Sequence, residues 1–315
     1  MARKRSLRPR CHTGEVVSII VPLFQGGRYI GELLASLTTQ VDAPSFEVII
    51  ADNGSTDGGQ HIVAGFQVEL AVRVIDASAE RGQTFARNRG AAVATGQQLL
   101  FLDQDDVVSD RYVASMSTAL AADGVVGARV DLSRLNPGWR AQVRRLAQET
   151  ALASGPPFPW AYGGTLGVRR ELFAAVGGFD ERLVVAAEDE DLCWRLQAAG
   201  ASLAFVPEAV LHYRLPNSWR ALFRQGRRYG RAQVQVDSMH RSSGRTLPKV
   251  APELSRLVLE APRALAARSQ AARWKFAFLA GRRLGTLCGL LEVRTPRGSR
   301  RYGCVLPIPT AGPHQ

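Results

Sequence analysis

Two clusters of acids stand out in a basic chain. In LLFLDQDDVVSD (99–110) an apolar run ends in Asp103, Asp105 and Asp106, three acids within four positions. In AEDEDLCWRL (187–196) Glu188, Asp189, Glu190 and Asp191 follow one another without a break. Carboxylates packed this closely repel one another. A chain tolerates them on a solvated turn, at a helix start where the backbone N–H groups favour negative charge, or beside a cation that neutralises them. Hard cations such as Mg2+ take oxygen ligands and bind through one or two carboxylates together with phosphates and water. A carboxylate can also take the proton of a hydroxyl, which is a poor nucleophile at neutral pH. Each cluster therefore has a structural and a chemical reading.

The chain has 315 residues, 46% of them hydrophobic, enough for one large α/β domain with extensions or for two domains. Its formal charge is +12, which suits an acidic partner: nucleotide phosphates, nucleic acid or anionic lipid. The charge is uneven. Residues 1–10 hold five basic residues and no acid, and from Arg214 to Arg301 the only acids are Asp237, Glu253, Glu260 and Glu292. A basic chain that gathers its acids into two short clusters is unlike a simple polyanion binder. Its four cysteines, Cys11, Cys193, Cys288 and Cys304, form no CxxC pair, which argues against a zinc site and a disulfide framework and fits a reducing compartment. No apolar segment follows the basic N-terminus, so no signal peptide is visible. The apolar stretch 274–292 has Arg282 and Arg283 in its middle and fails as a membrane span.

The elements that must position the acids alternate. VSIIVPL (17–23) is a continuous β-branched run, as in a strand buried on both faces. Ile30, Leu33, Leu34 and Leu37 fall on one helical face. EVIIA (47–51), VRVID (72–76) and QLLFL (98–102) read as further strands, with helices near 59–67 and over 84–96. This βαβα order implies a mostly parallel sheet covered by helices, and ligands of such sheets sit beyond the carboxyl ends of the strands. Three polar clusters lie at those ends, Pro22–Gln25, Asp52–Asp57 and Asp103–Asp106, and should meet in one crevice. In the second half, 163–183 reads as strand, short helix and Gly-Gly turn, 187–200 as a helix opened by acids, and 202–214 as extended chain. Basic amphipathic helices follow over 217–235 and 252–292, joined by the polar linker 241–249.

SIIVPLFQGG, EVIIADNGSTDGG, ARNRGAA, LLFLDQDD, VGGFDERL and EDEDLCWRL occur here in the order and spacing of family 2 glycosyltransferases. Each motif is weak alone; six in sequence are specific. Residues 16–215 resemble this family of inverting enzymes. The resemblance implies a GT-A catalytic domain over 16–215, a Rossmann-like nucleotide-diphospho-sugar transferase fold. A basic tail over 1–15 would precede it, and a basic helical extension and tail over 216–315 would follow.

The resemblance also implies roles. Asp105 would bind Mg2+ or Mn2+ directly, and Asp103 ribose or metal, so that the cation stabilises the departing diphosphate. Asp106 either joins them or only starts a helix. Asp52 would accept a hydrogen bond from the base, usually uracil, or else serve a turn. Pro22 and Phe24 would line the base pocket. The family often has Asn where this chain has Gln25 and a second Asp where it has Asn53. Arg87 either reaches the nucleotide or braces the site through a salt bridge. Asp189 would be the catalytic base with Glu188 beside it and Asp191 as the runner-up, unless these acids only cap the helix and pair with Arg195. His212 is a packed core residue or a further metal ligand. Trp160 stacks on a sugar or packs. Asp180 touches a sugar or fixes its turn.

The expected reaction is metal-dependent inverting transfer from a nucleotide-diphosphate sugar, UDP-linked in most of the family, to a glycan or lipid-linked acceptor in cell-envelope polysaccharide or glycolipid synthesis. The expected location is cytoplasmic and peripheral on the inner face of the membrane, because basic amphipathic helices suit an anionic surface. The same helices could instead pack on the catalytic domain. No recognised motif supports nucleic-acid binding. The alternative class is a non-catalytic nucleotide-sugar-binding or membrane-surface scaffold of the same fold.

Overall fold

The computed structural model describes residues 16–295 apart from 137, 185, 267 and 268, and describes the backbone alone at 257, 260–261 and 263–266. The expected basic tail over 1–15, Cys11 and Cys304 lie outside the described residues. The elements in chain order are β1 (Val17–Leu23), α1 (Ile30–Thr38), β2 (Phe46–Asp52), α2 (Gly59–Ala64), β3 (Val72–Asp76), α3 (Gln83–Val93), β4 (Gln98–Phe101), β5 (Val107–Val108), α4 (Tyr112–Asp123), β6 (Gly124–Asp131), β7 (Leu166–Arg169), α5 (Arg170–Ala175), α6 (Glu188–Ala198), β8 (Ser202–His212), α7 (Trp219–Met239), α8 (Val250–Ala266) and α9 (Gln270–Val293).

The eight strands form one sheet in the order β3-β2-β1-β4-β7-β6-β8-β5. β1, β2, β3 and β4 are parallel, β7 runs antiparallel to both β4 and β6, and β8 is parallel to β6. The order reverses between β1 and β4. Their carboxyl ends carry Pro22–Phe24 and Asp103–Asp106, so the switch point of the sheet falls where the polar clusters lie. Strand alternation sorts the core into two layers. Ile19, Val21 and Leu23 pack with α1 and α4 on one face, whereas Ile20, Leu99 and Phe101 pack with Leu192 and Leu196 of α6 on the other.

Three elements are not among those expected from the sequence: β5, α4 and β6. The helix YVASMSTALAAD has little polar contrast between its faces, and β6 begins directly at its end through Gly124 at φ 78°, with no linker to mark the change. The single stretch 252–292 is two helices, with Ser269 capping the second by accepting from the Ala272 backbone N–H at 3.2 Å.

Of the C-terminal helices, α7 and α9 pack on the sheet domain. Val234, Val236 and Met239 of α7, with Leu290 and Val293 of α9, enclose Leu183 and Trp194 in a third core. α7 and α9 are in backbone contact. A Cβ on Gly226 would collide with the Phe278 carbonyl, one on Gly230 with that of Arg282, one on Gly281 with that of Phe223 and one on Gly285 with that of Arg227. Only glycine at these four positions permits so close an approach. Among the described residues, no helix is long and apolar enough to cross a membrane.

Candidate active site

The loops after β1, β2 and β4 are bound to one another. The Phe24 backbone N–H donates to Gln104 Oε1 at 2.8 Å, and Gln104 Nε2 donates back to the Phe24 carbonyl at 3.0 Å. The Gln25 N–H donates to Ser55 Oγ at 3.2 Å, and the Gly27 N–H to Asp57 Oδ2 at 2.7 Å. Pro22, Phe24, Asn53, Asp103 and Asp105 thereby come to line one cavity of about 930 Å3. Phe24 is 43% exposed, with the Arg81 guanidinium 5.7 Å from its ring centre.

Asp52 is not among the residues lining this cavity. Its Oδ1 accepts from the Ser55 N–H at 3.0 Å and its Oδ2 from Gln60 Nε2, which is the turn role. Asn53 takes the wall position. Its amide donates to the carbonyls of Ala77 and Glu80, and its Oδ1 accepts from the Gly82 N–H at 3.0 Å. Successive residues at a strand end face opposite ways, so a shift of one residue exchanges wall for turn.

The three acids after β4 have separate surroundings. Asp103 Oδ1 accepts from Arg87 Nη2 at 2.7 Å and from Gln83 Nε2 at 2.8 Å. Asp105 faces the cavity, and burial together with the neighbouring Asp103 pushes its carboxyl up to about 6. Asp106 Oδ1 accepts from the Arg214 N–H at 2.9 Å, tying this loop to the chain after β8 rather than starting a helix. Among the described residues its Oδ2 is buried without a partner, and burial with the nearby Asp105 and Asp103 raises its carboxyl well above the usual range. Among the described residues no group of three His, Cys, Asp or Glu side chains forms a cation site. A cation carried on a diphosphate needs only one or two carboxylates. Asp105 and Asp103, both on the cavity wall, fit that requirement.

The four consecutive acids of α6 diverge to different partners. Glu188 Oε1 accepts from Arg87 Nη1 at 2.9 Å. Burial and the adjacent Asp189 push Glu188 up to about 7, although Arg87 opposes this. Asp189 accepts from the Gly163 N–H at 2.9 Å and from the Glu190 N–H at 2.8 Å. Burial raises its carboxyl, and those two N–H groups pull it partly back. Glu190 lies 3.3 Å from Arg245, yet burial pushes it up to about 8. Asp191 is fully enclosed: Oδ2 accepts from Arg195 at 2.6 and 2.9 Å, and Oδ1 lies 2.8 Å from His240 Nε2. Burial alone would raise Asp191, but the hydrogen bonds from His240 and Arg195 bring it below the usual range. Unlike Asp189, Asp191 lines neither cavity, and its two oxygens are held by the Arg195 and His240 side chains, which is the placement of a structural anchor.

Glu188 and Asp189 line a second cavity of about 540 Å3, with Arg87, Trp160, Tyr162 and Gln233. The two cavities share Gln83, Asp103, Tyr213 and Tyr229. Trp160 thus lies on the cavity wall, its ring edge against Trp194 at 6.3 Å. Arg87, 1% exposed, bridges Asp103 and Glu188 and stacks 5.3 Å from the Phe179 ring. That is the bracing role, and Arg87 is not on the wall of the Phe24 cavity.

Two expected residues lie elsewhere. His212 Nδ1 is 2.7 Å from Asp131 Oδ2, and neither cavity includes it. Its neighbours Leu211 and Tyr213 line the Glu188 cavity, so alternation along β8 turns His212 to the other face. The structure therefore does not place it on the wall of the cavity that Asp105 lines. Asp180 accepts from the Arg182 N–H at 2.9 Å and from its guanidinium at 2.6 and 3.0 Å, which fixes the Gly-Gly turn.

Several site residues went unread in the sequence. Gln83 stands in no motif, and Asn53 and Gln104 stand inside motifs read for their acids. Gln233, Asp237, His240 and Arg245 belong to α7 and the segment after it, and together hold Glu190 and Asp191. The amphipathic period of 217–235 announces a helix but not the acids it clamps.

Comparison with known proteins bears on the family and the fold. The family model described as "Glycosyl transferase family 2" matches residues 18–177, and that of "Glycosyl transferase family group 2" matches 99–288. Glycosyltransferase GlyG of Streptococcus pneumoniae is 30% identical over 117 residues, 36% of this chain and 38% of that protein. N-acetylglucosaminyl-diphospho-decaprenol L-rhamnosyltransferase of Mycobacterium tuberculosis is 28% identical over 246 residues, 65% of this chain and 78% of that one. Among solved structures, the mannosyltransferase PcManGT from Pyrobaculum calidifontis, in complex with GDP-Man and Mn2+, superposes with a TM-score of 0.63 at 22% identity, covering 87% of this chain and 86% of that one. The fold is that of the GT-A glycosyltransferases.

Proposed function

The chain belongs to glycosyl transferase family 2, and from that premise we propose that it is a metal-dependent inverting glycosyltransferase. The observation that carries this reading is the position of Asp103 on the walls of both cavities. One cavity has Asp105 and the aromatic and amide side chains suited to a nucleotide. The other has Asp189.

Residues 16–215 form the catalytic unit, and the extension after 216 closes its acceptor side. The nucleotide-sugar lies against Pro22, Phe24 and Asn53 with its diphosphate toward Asp103 and Asp105. UDP is the first candidate for the nucleotide, and Mg2+ or Mn2+ for the cation. Asp103 and Asp105 would hold the cation, which would supply positive charge against that of the departing diphosphate. Asp189 accepts the proton of the acceptor hydroxyl. The hydroxyl oxygen bonds to the anomeric carbon as the bond from that carbon to the nucleoside diphosphate breaks on the opposite side, inverting the centre. Glu188 and Arg87 keep Asp103 and the start of α6 in register. Trp160 offers an aromatic face to the acceptor sugar. The acceptor is a glycan or a lipid-linked saccharide of the cell envelope, met at the inner, anionic face of the membrane. The acceptor named for the mycobacterial relative is lipid-linked.

Calorimetric titration with UDP, GDP and dTDP, each with and without Mn2+, tests the reading. One nucleotide should bind only with metal, and Asp105→Ala should abolish that binding. Failure of all three in both conditions would overturn it.

A further inference from the structure

The acid-lined cavity has a second pole. Lys275, Phe278, Leu279 and Arg282 of α9 all line it, as does Arg145. Their spacing of three, four and seven residues puts the α9 group on one helical face, with Lys275 and Arg282 two turns or about 10 Å apart. Arg145, Lys275 and Arg282 are exposed, and none has a side-chain hydrogen bond or ion pair among the described residues. Arg144, between them, is fixed: it donates to Gln225 Oε1 at 3.1 Å and lies 4.2 Å from the Phe278 ring centre.

These cations have no evident use for the donor. The donor's diphosphate belongs beside Asp103 and Asp105, and that cavity has its own cations in Arg81, Arg214, Arg224, Arg227 and Arg228. A neutral acceptor sugar would use the carboxylates of α6 and leave the α9 pole idle. Guanidinium and ammonium groups in a cleft attract and orient oxyanions, and apolar Phe278 and Leu279 lie between them.

We infer that the acceptor is an anionic glycoconjugate, with a phosphate or diphosphate that Arg145, Lys275 and Arg282 bind while its hydroxyl meets Asp189. The inference rests on the proposed transfer reaction and names the acceptor class of the same site. The phosphate is either that of a lipid-linked saccharide or that of a soluble sugar phosphate.

The full chain, with its preferred nucleoside diphosphate and Mn2+ present, is titrated with farnesyl phosphate, glucose 1-phosphate and glucose. At least one phosphate probe should bind at least tenfold more tightly than glucose. The double variant Lys275→Gln/Arg282→Gln should weaken it at least tenfold while nucleotide affinity, read separately, stays the same and reports an intact fold. The conservative Lys275→Arg should keep it. Tighter binding of farnesyl phosphate assigns the lipid-linked source, and tighter binding of glucose 1-phosphate the soluble one. Wild-type protein that binds neither phosphate, or a double variant that binds as wild type does, overturns the inference. If no nucleotide binds, the transfer reading fails, and the phosphate titrations on the chain alone still decide whether α9 holds an anion.

Discussion

Asp103 and Glu188, 85 positions apart in the chain, are held by the same guanidinium: Arg87 donates to the first at 2.7 Å and to the second at 2.9 Å. The donor side and the acceptor side of the candidate site are therefore joined through one buried cation.

Removing that cation leaves a buried carboxylate without its partner, a loss of roughly 3–5 kcal/mol for such pairs. Arg87→Ala should lower the thermal midpoint by about 10 °C at the 2–4 °C per kcal/mol expected for a chain of this size. Arg87→Lys retains the charge but not the fork that spans both acids, and should fall between. Differential scanning of the three proteins checks the order.

Asp189→Asn should keep metal-dependent nucleotide binding and lose transfer by about 10²–10⁴-fold, the usual worth of a general base. The base acts deprotonated, and burial raises Asp189 above the ordinary aspartate range. Activity should therefore fall as pH drops through a limb lying higher than a free Asp would give. With Glu188 adjacent and near 7, that limb belongs to the pair. A pH–rate profile of wild type and Glu188→Gln measures it, and a fully active Asp189→Asn enzyme would sink the assignment.

Glycine to alanine inside a helix ordinarily gains about 1 kcal/mol. At Gly230 the sign should reverse, because the new Cβ meets the Arg282 backbone and the helices must part; overpacking of this kind costs about 1–3 kcal/mol or more. At Gly289, where the nearest atoms are the Arg231 carbonyl oxygen and Val234 Cβ, both at 3.0 Å, the loss should be smaller. Urea unfolding of Gly230→Ala and Gly289→Ala ranks the two.

Glu47 provides a pH test remote from the site. It accepts from the Thr95 N–H at 2.7 Å, Thr95 Oγ1 at 2.6 Å, Ser18 Oγ at 2.7 Å and Arg73. Burial pushes its carboxyl up, but these hydrogen bonds bring it down to about 2 from its ordinary 4.5. A depressed acid contributes stability that is complete above the unfolded value and is lost as pH falls toward the folded one. Glu47→Gln should thus be less stable at pH 7, and its deficit should shrink between pH 4.5 and 2. Thermal midpoints across that range check the sign.

What the sequence revealed and what it hid follow from physical range. Period and composition are local, so β1, β2, β3 and the Leu33/Leu34 face of α1 were legible, as were Asp103, Asp105 and Asp189 through their motifs. Facing is set by single-residue phase. That is why Asp52 and Asn53 exchange roles and why His212 turns away from the cavity that Tyr213 lines. Partners brought from another element are invisible to any window: nothing near Asp191 announces His240, and nothing near Asp103 announces that Gln83 will hold it. α4 and β6 were hidden because an alanine-rich helix passes into a strand at one glycine.

The glycine seam between α7 and α9 works as an indexing key. Carbonyls of each helix occupy the notches left by glycines of the other at Gly226, Gly230, Gly281 and Gly285. A slide by one residue or a rotation by part of a turn would place side chains where no side chain fits. The axial and angular phase of the pair is thereby locked by main chain alone. α7 presents Arg224, Arg227 and Arg228 to one cavity, and α9 presents Lys275 and Arg282 to the other. The distance between the two cationic walls is consequently a backbone constant, unaffected by which rotamers the arginines adopt.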